Sequence, residues 1–168
     1  IVNVSQEVGP LLNFPSRVEQ GPVRARLIQV PTQSPDGKRL VFSALTHLYT
    51  MSLPDGKPAR ITEGDSREFH PAWSPDGKWL AYVTWSSEGG HIWKIRADGR
   101  GAPQQLTRVP DYYRNPAWSP DGQRLVAVHG PRQARVEGRE GADAALVWIP
   151  AEGGDLKVIL SARGVVAP

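Results

Sequence analysis

Short apolar runs separated by polar turn clusters recur along the chain from Val30 to Leu160. Three of these runs follow the same tetrapeptide. Ser34-Pro35-Asp36-Gly37 is left by Leu40-Val41-Phe42, Ser74-Pro75-Asp76-Gly77 by Trp79-Leu80-Ala81-Tyr82-Val83, and Ser119-Pro120-Asp121-Gly122 by Leu125-Val126-Ala127-Val128. The nearly continuous apolar character of these runs suits strands covered on both faces. Each tetrapeptide is a turn with a mechanism: proline presets φ, serine caps the first position, and glycine supplies the left-handed residue that closes a hairpin. Each exit run is followed by a third run, at Leu48-Tyr49-Thr50-Met51, Ile92-Trp93-Lys94-Ile95 and Leu146-Val147-Trp148-Ile149. A glycine turn then leads to a fourth, at Ala59–Thr62, Gln104–Thr107 and Leu156–Ile159.

The tetrapeptides lie 40 and 45 residues apart, in the range of blade-type repeats with four strands each. The pattern therefore predicts an all-β chain, a β-propeller segment of three four-stranded blades, a partial or half propeller. The predicted division is an N-terminal arm at 1–28, then blades at 29–64, 65–109 and 110–168. Prolines and glycines between Gly9 and Pro22 break any periodic run in the arm, and Val23–Gln29 alternates well enough for a half-buried strand. Trp73 and Trp118 share a repeat position and are predicted core, whereas Gln33 takes that position in the first repeat and marks its blade as atypical. Pro71 and Pro116 open strands nine residues after Thr62 and Thr107, and Pro168 stands at nearly that offset from the third repeat's end. The expectation is a chain cut at the entrance to a fourth blade, or copies that pair as a homodimer closing a six-bladed ring.

Composition changes this picture little. The 168 residues are 39% hydrophobic, with 17 glycines and 16 prolines, as many short strands require. A net charge of +3 with both signs interspersed offers no concentrated basic stripe for nucleic acid. The chain has no cysteine, which excludes disulfides and thiolate metal sites, and no apolar run reaches the length of a membrane span. It starts at Ile1 without a signal region, as expected of a mature or excised piece.

Pro-x-Trp-Ser-Pro-Asp-Gly-(Lys or Gln)-x-Leu, followed by an apolar-aromatic strand, Asp-Gly and Leu-Thr, resembles the WD-like repeat of TolB-type β-propellers. Related repeats occur in prolyl oligopeptidase relatives and tricorn protease. The resemblance covers residues 29–160 and speaks to fold far more than to role. Leu40-Val41-Phe42-Ser43-Ala44-Leu45 with Leu48-Tyr49 is most similar to propellers that precede bacterial amidohydrolase domains. That resemblance implies a periplasmic or secreted bacterial protein whose hydrolase chemistry lies outside this segment. A free-standing TolB-type interaction propeller and the propeller of a prolyl oligopeptidase-like peptidase are the alternatives it leaves open.

No catalytic constellation is legible. A serine hydrolase needs G-x-S-x-G with a histidine and a carboxylate in reach, and the chain has no such motif. His47, His70, His91 and His129 lack metal-ligand spacing, and no cofactor or metal is expected. The turn aspartates read as turn residues, since calcium needs several oxygens converging in one loop. His70 and Asn115 precede equivalent prolines and read as polar residues at a channel rim. A site, if present, belongs on the face shared by blade-to-blade connections and second-to-third-strand loops. There Arg67, Glu68 and His70, then Tyr112, Tyr113, Arg114 and Asn115, then His129, Arg132 and Arg135 are candidate contacts for a protein partner or a missing domain of the same parent chain. The tyrosines beside arginine are of the type that anchors contacts. The loop from His129 to Asp143 is the longest of its series and is either functional or a solvated excursion.

Overall fold

The computed structural model describes Ala25 and residues 27–138 and 143–161. The arm predicted at 1–28 lies almost wholly outside the described residues. Leu27 and Ile28 are exposed and precede the first strand, so of the strand proposed at 23–29 only Gln29 lies in one among the described residues, where it opens the first strand.

Three four-stranded antiparallel sheets follow in chain order. The first is built from β1 (Gln29–Gln33), β2 (Arg39–Ala44), β3 (His47–Ser52) and β4 (Ala59–Arg60). The second holds β5 (Arg67–Trp73), β6 (Trp79–Trp85), β7 (Ile92–Arg96) and β8 (Gln104–Gln105). The third holds β9 (Tyr112–Trp118), β10 (Arg124–Gly130), β11 (Ala145–Pro150) and β12 (Lys157–Ser161), with a short helix α1 (Arg132–Val136) between β10 and β11. Each sheet runs in simple sequence order, and the first strands β1, β5 and β9 pack side by side as the inner wall. This is a three-bladed β-propeller segment.

The turn tetrapeptide works alike in all three blades. In the second, the Ser74 hydroxyl donates to Asp76 Oδ1 at 2.6 Å and accepts from the Trp79 backbone N–H at 2.9 Å. Asp76 Oδ1 also accepts from Lys78 N–H, and Gly77 carries φ +68°. Serine and backbone donors hold Asp36, Asp76 and Asp121 below the usual carboxylate range, the serine bond leading in each.

Because neighbouring residues of a strand point to opposite faces, the central blade seals two cores. Leu80 and Tyr82 face the first blade with Val41, Leu48, Ile61 and Ile95. Ala81 and Val83 face the third with Leu106, Leu125, Ala127, Val147 and Ile149. Trp73 is buried at the first junction, and Trp118 is half-buried against the second core.

The inner strands each carry one extra residue. Phe69 pairs with Val83 but Ala72 pairs with Ala81, three steps against two. The same offset separates Gln29 from Thr32 and Arg114 from Ala117. These β-bulges fall on the residue before proline, where Val30, His70 and Asn115 all adopt φ near +50°. A proline has no N–H for the ladder, so a bulge is where an inner strand tolerates one.

Candidate functional site

The face that carries the β6–β7, β8–β9 and β10–β11 connections is tied together at Asp111. Its backbone pairs with Gly90 in both directions, at 2.8 and 3.0 Å. Gly90 is required for that approach, because a Cβ there would stand 2.1 Å from the Thr84 carbonyl oxygen. The Asp111 carboxylate accepts from the Tyr112 N–H at 3.0 Å, meets His129 Nε2 at 2.9 Å, and accepts from the Arg132 backbone N–H that starts α1. Arg132 in turn approaches Glu88 of the β6–β7 hairpin at 3.8 Å. The Arg135 guanidinium lies 5.4 Å above the Tyr112 ring, and Trp85 meets that ring edge-on.

The first described part of the long loop is thus a short helix folded back onto the face, with Ala134 buried. Arg132 and Arg135 sit on this helix rather than in an open loop, and His129 sits on β10. Asp111 carries no signal in the sequence beyond preceding two tyrosines. Its role arises from three chain segments meeting in space.

Glu68 and Tyr113 are not surface contacts. Both lie inside strands, because the inner strands extend past the bulges to Arg67 and Tyr112, where the sequence suggested connecting loops. The left-handed residue before each proline interrupts the alternation and hides the strand's first half. Glu68 is only 3% exposed. Its Oε2 accepts from Leu48 N–H at 3.0 Å and Thr62 Oγ1 at 2.5 Å, with His47 Nδ1 at 3.8 Å. Tyr113 is 1% exposed, and its hydroxyl donates to the Val109 carbonyl at 2.9 Å. Burial, reinforced by the Asp111 charge, pushes its phenol up to about 12. A tyrosine with its ring in the core cannot anchor a partner.

The remaining candidates line the inner wall and rim. Arg67 and Asn115 are exposed, and His70, Tyr112 and Arg114 are half-buried. His70 Nδ1 accepts from the Asn115 backbone N–H at 3.2 Å, which leaves the ring proton of neutral His70 on Nε2. Burial, then the nearby Arg114 charge, keeps His70 below the ordinary histidine range. Arg114 Nε is buried without a hydrogen-bond partner.

No group of three or more His, Asp or Glu side chains gathers as a metal site among the described residues. No described helix is long and apolar enough to cross a membrane.

Bulged inner strands and repeated turns define the class of the molecule, a segment of a β-propeller. Over residues 23–144 the chain matches the PD40 family, the TolB beta propeller domain, and it belongs to that family. A protein of Agrobacterium fabrum is 33% identical over 70 residues, 39% of this chain and 24% of that one. The putatively tricorn-like protease N-terminal subunit of Sulfurisphaera tokodaii is 33% identical over 72 residues, 42% of this chain and 37% of that one. The solved structure of a putatively TolB protein from Agrobacterium tumefaciens superposes with a TM-score of 0.66 at 24% identity, over 77% of this chain and 47% of that one. The chain spans well under half the length of the curated relatives it matches.

Proposed function

We propose that this chain is the non-catalytic propeller portion of a larger bacterial hydrolase, where it binds a partner domain or restricts access to that domain's active site. One observation carries the reading: the acidic and imidazole groups gathered on the connection face are engaged by the scaffold itself. Asp111 holds two backbone N–H groups and His129, and Glu68 holds a backbone N–H and a threonine hydroxyl. Groups so engaged fix blades and α1 rather than activating a nucleophile or water. What remains accessible is a rim of Arg67, Arg114, Arg132, Arg135, Tyr112 and Asn115, suited to an acidic or hydrogen-bonding protein surface.

Likeness to the tricorn-like protease subunit supports a peptidase parent. An amidohydrolase parent is supported by the Leu40–Tyr49 wording alone. The likeness to solved TolB favours a second reading, a free-standing interaction propeller that binds a protein partner directly. A periplasmic or secreted location belongs to both readings and would be checked by cell fractionation. The purified chain should hydrolyse neither peptide nor amide substrates; turnover by this segment would refute the non-catalytic role. Joint replacement of Arg67, Arg114 and Arg135 by alanine should abolish capture of the partner domain while leaving the circular dichroism spectrum intact.

A further inference from the structure

The first and third blades differ at one shared place on the connection face. Gln29 pairs with Ser43 across β1 and β2 as Arg114 pairs with Val128 across β9 and β10. Two residues beyond each pair stand Leu27 and Leu45 in the first blade, and Tyr112 and Gly130 in the third. In the third blade α1 folds over this place with Ala134 buried, and the space left is about 10 Å³. In the first blade the β2–β3 connection is only Leu45 and Thr46, and the same place is an open recess of about 500 Å³. Phe69 of the second blade also lines it, so the recess sits at the first junction.

Three observations coincide there. Leu27 is 64% exposed and Leu45 42%, apolar area that an occupant would take out of water. The turn that carries Leu45 is built against local preference, because Leu45 and Thr46 adopt φ +50° and +66°. Asparagine and glycine suit a two-residue hairpin of this kind, whereas leucine and β-branched threonine are strained in it. Glu68 N–H donates to the Thr46 carbonyl at 2.8 Å and holds the turn against the second blade's inner strand. Ser43, which also lines the recess, is buried, and its hydroxyl has no hydrogen-bond partner among the described residues. Strain and unmet bonding of this sort collect where a chain makes contacts.

We propose that this recess receives one bulky aliphatic side chain of a partner polypeptide, in the place that α1 closes in the third blade. The third blade identifies the chemistry of the occupant: there a turn of polypeptide seats an apolar side chain against the same strand positions. The larger space and the leucines of the first blade call for a side chain bigger than the alanine that serves in the third. Gln29 and Thr46 carry polar groups for the backbone on either side of it. The inference rests on the reading that the connection face binds protein, and it adds an apolar anchor to the arginine rim.

The probe is N-acetyl-leucinamide added to the full chain and followed by nuclear magnetic resonance, with N-acetyl-alaninamide as the control. The leucine probe should shift the Leu27 and Leu45 methyl signals and the Thr46 amide saturably, and the alanine probe should bind about tenfold more weakly or worse. Leu45→Asn combined with Thr46→Gly relieves the turn. That variant should keep or raise the unfolding midpoint and yet lose most of the binding. No saturable shift in the parent, equal binding of the two probes, or undiminished binding by the variant would overturn the proposal. The same shifts on concentrating the chain alone would make a second copy the occupant, and binding only after removal of residues 1–24 would make that arm the occupant; either result overturns it too. Capture through the arginines is read separately, so failure here leaves that reading standing.

Discussion

The two junctions between blades solve one packing problem with different chemistry. At each, an N–H at the start of one blade's third strand must be satisfied where it meets the next blade's inner strand. Between the first two blades, buried Glu68 reaches across and accepts from Leu48 N–H, with Thr62 as a second donor. Between the second and third, Thr107 takes over: its hydroxyl accepts from Ile92 N–H at 3.1 Å and lies 3.0 Å from His91 Nδ1. Tyr113, at the position of Glu68, then fills the space with a ring. The first junction depends on a buried carboxylate, which is costly unless fully bonded, while the second divides the task between a neutral hydroxyl and apolar area. A shared fold position thus prescribes a bond to be made, not the residue that makes it.

That contrast breaks most readily at the carboxylate. Glu68→Ala strands Leu48 N–H and the Thr62 hydroxyl and should cost about 3 kcal/mol, read as a shift in the denaturant midpoint. A cost within about 0.5 kcal/mol, as for an ordinary surface change, would show that the first junction does not rely on it. Gly90→Ala drives a Cβ into the Thr84 carbonyl and should cost about 2 kcal/mol. Its mark is faster hydrogen exchange at the Gly90 and Asp111 amides, and unchanged exchange there would count against the Asp111 tie.

Tyr113→Phe removes one hydrogen bond and leaves the ring, for a loss of about 1 kcal/mol. Spectrophotometric titration should show one phenol ionising at about 12 in the parent and absent from this variant. The smallest effect concerns the turns that both junctions share. Their serines hold Asp36, Asp76 and Asp121 below the usual carboxylate range. Their depressed values mean that the unfolded chain binds more protons in acid. The stability they add is present above pH about 4 and is lost as pH falls through their folded values. Replacing all three by asparagine should flatten the acid limb of the stability curve; an unaltered limb would assign that loss to other carboxylates.

The fold was legible because its cues are local. A proline that presets φ, a capping serine and a left-handed glycine specify a turn within four residues, and three copies in register specify a blade repeat. Trp73, Trp118 and Gln33 could be aligned by counting alone. The fate of the candidate contacts was not legible. Glu68 and Tyr113 belong to strands whose first halves are masked by a left-handed residue before proline. His129, Arg132 and Asp111 are joined only because three connections converge.

Repetition therefore let the sequence determine the turns, the strand order within each blade and the atypical character of the first. Tertiary structure alone decided which polar side chains were drawn into the blade junctions and which stayed on the rim. Turn chemistry acts between residues a few positions apart, whereas burial depends on segments 20 to 60 residues distant, such as Leu48 with Glu68 and Lys94 with Glu152.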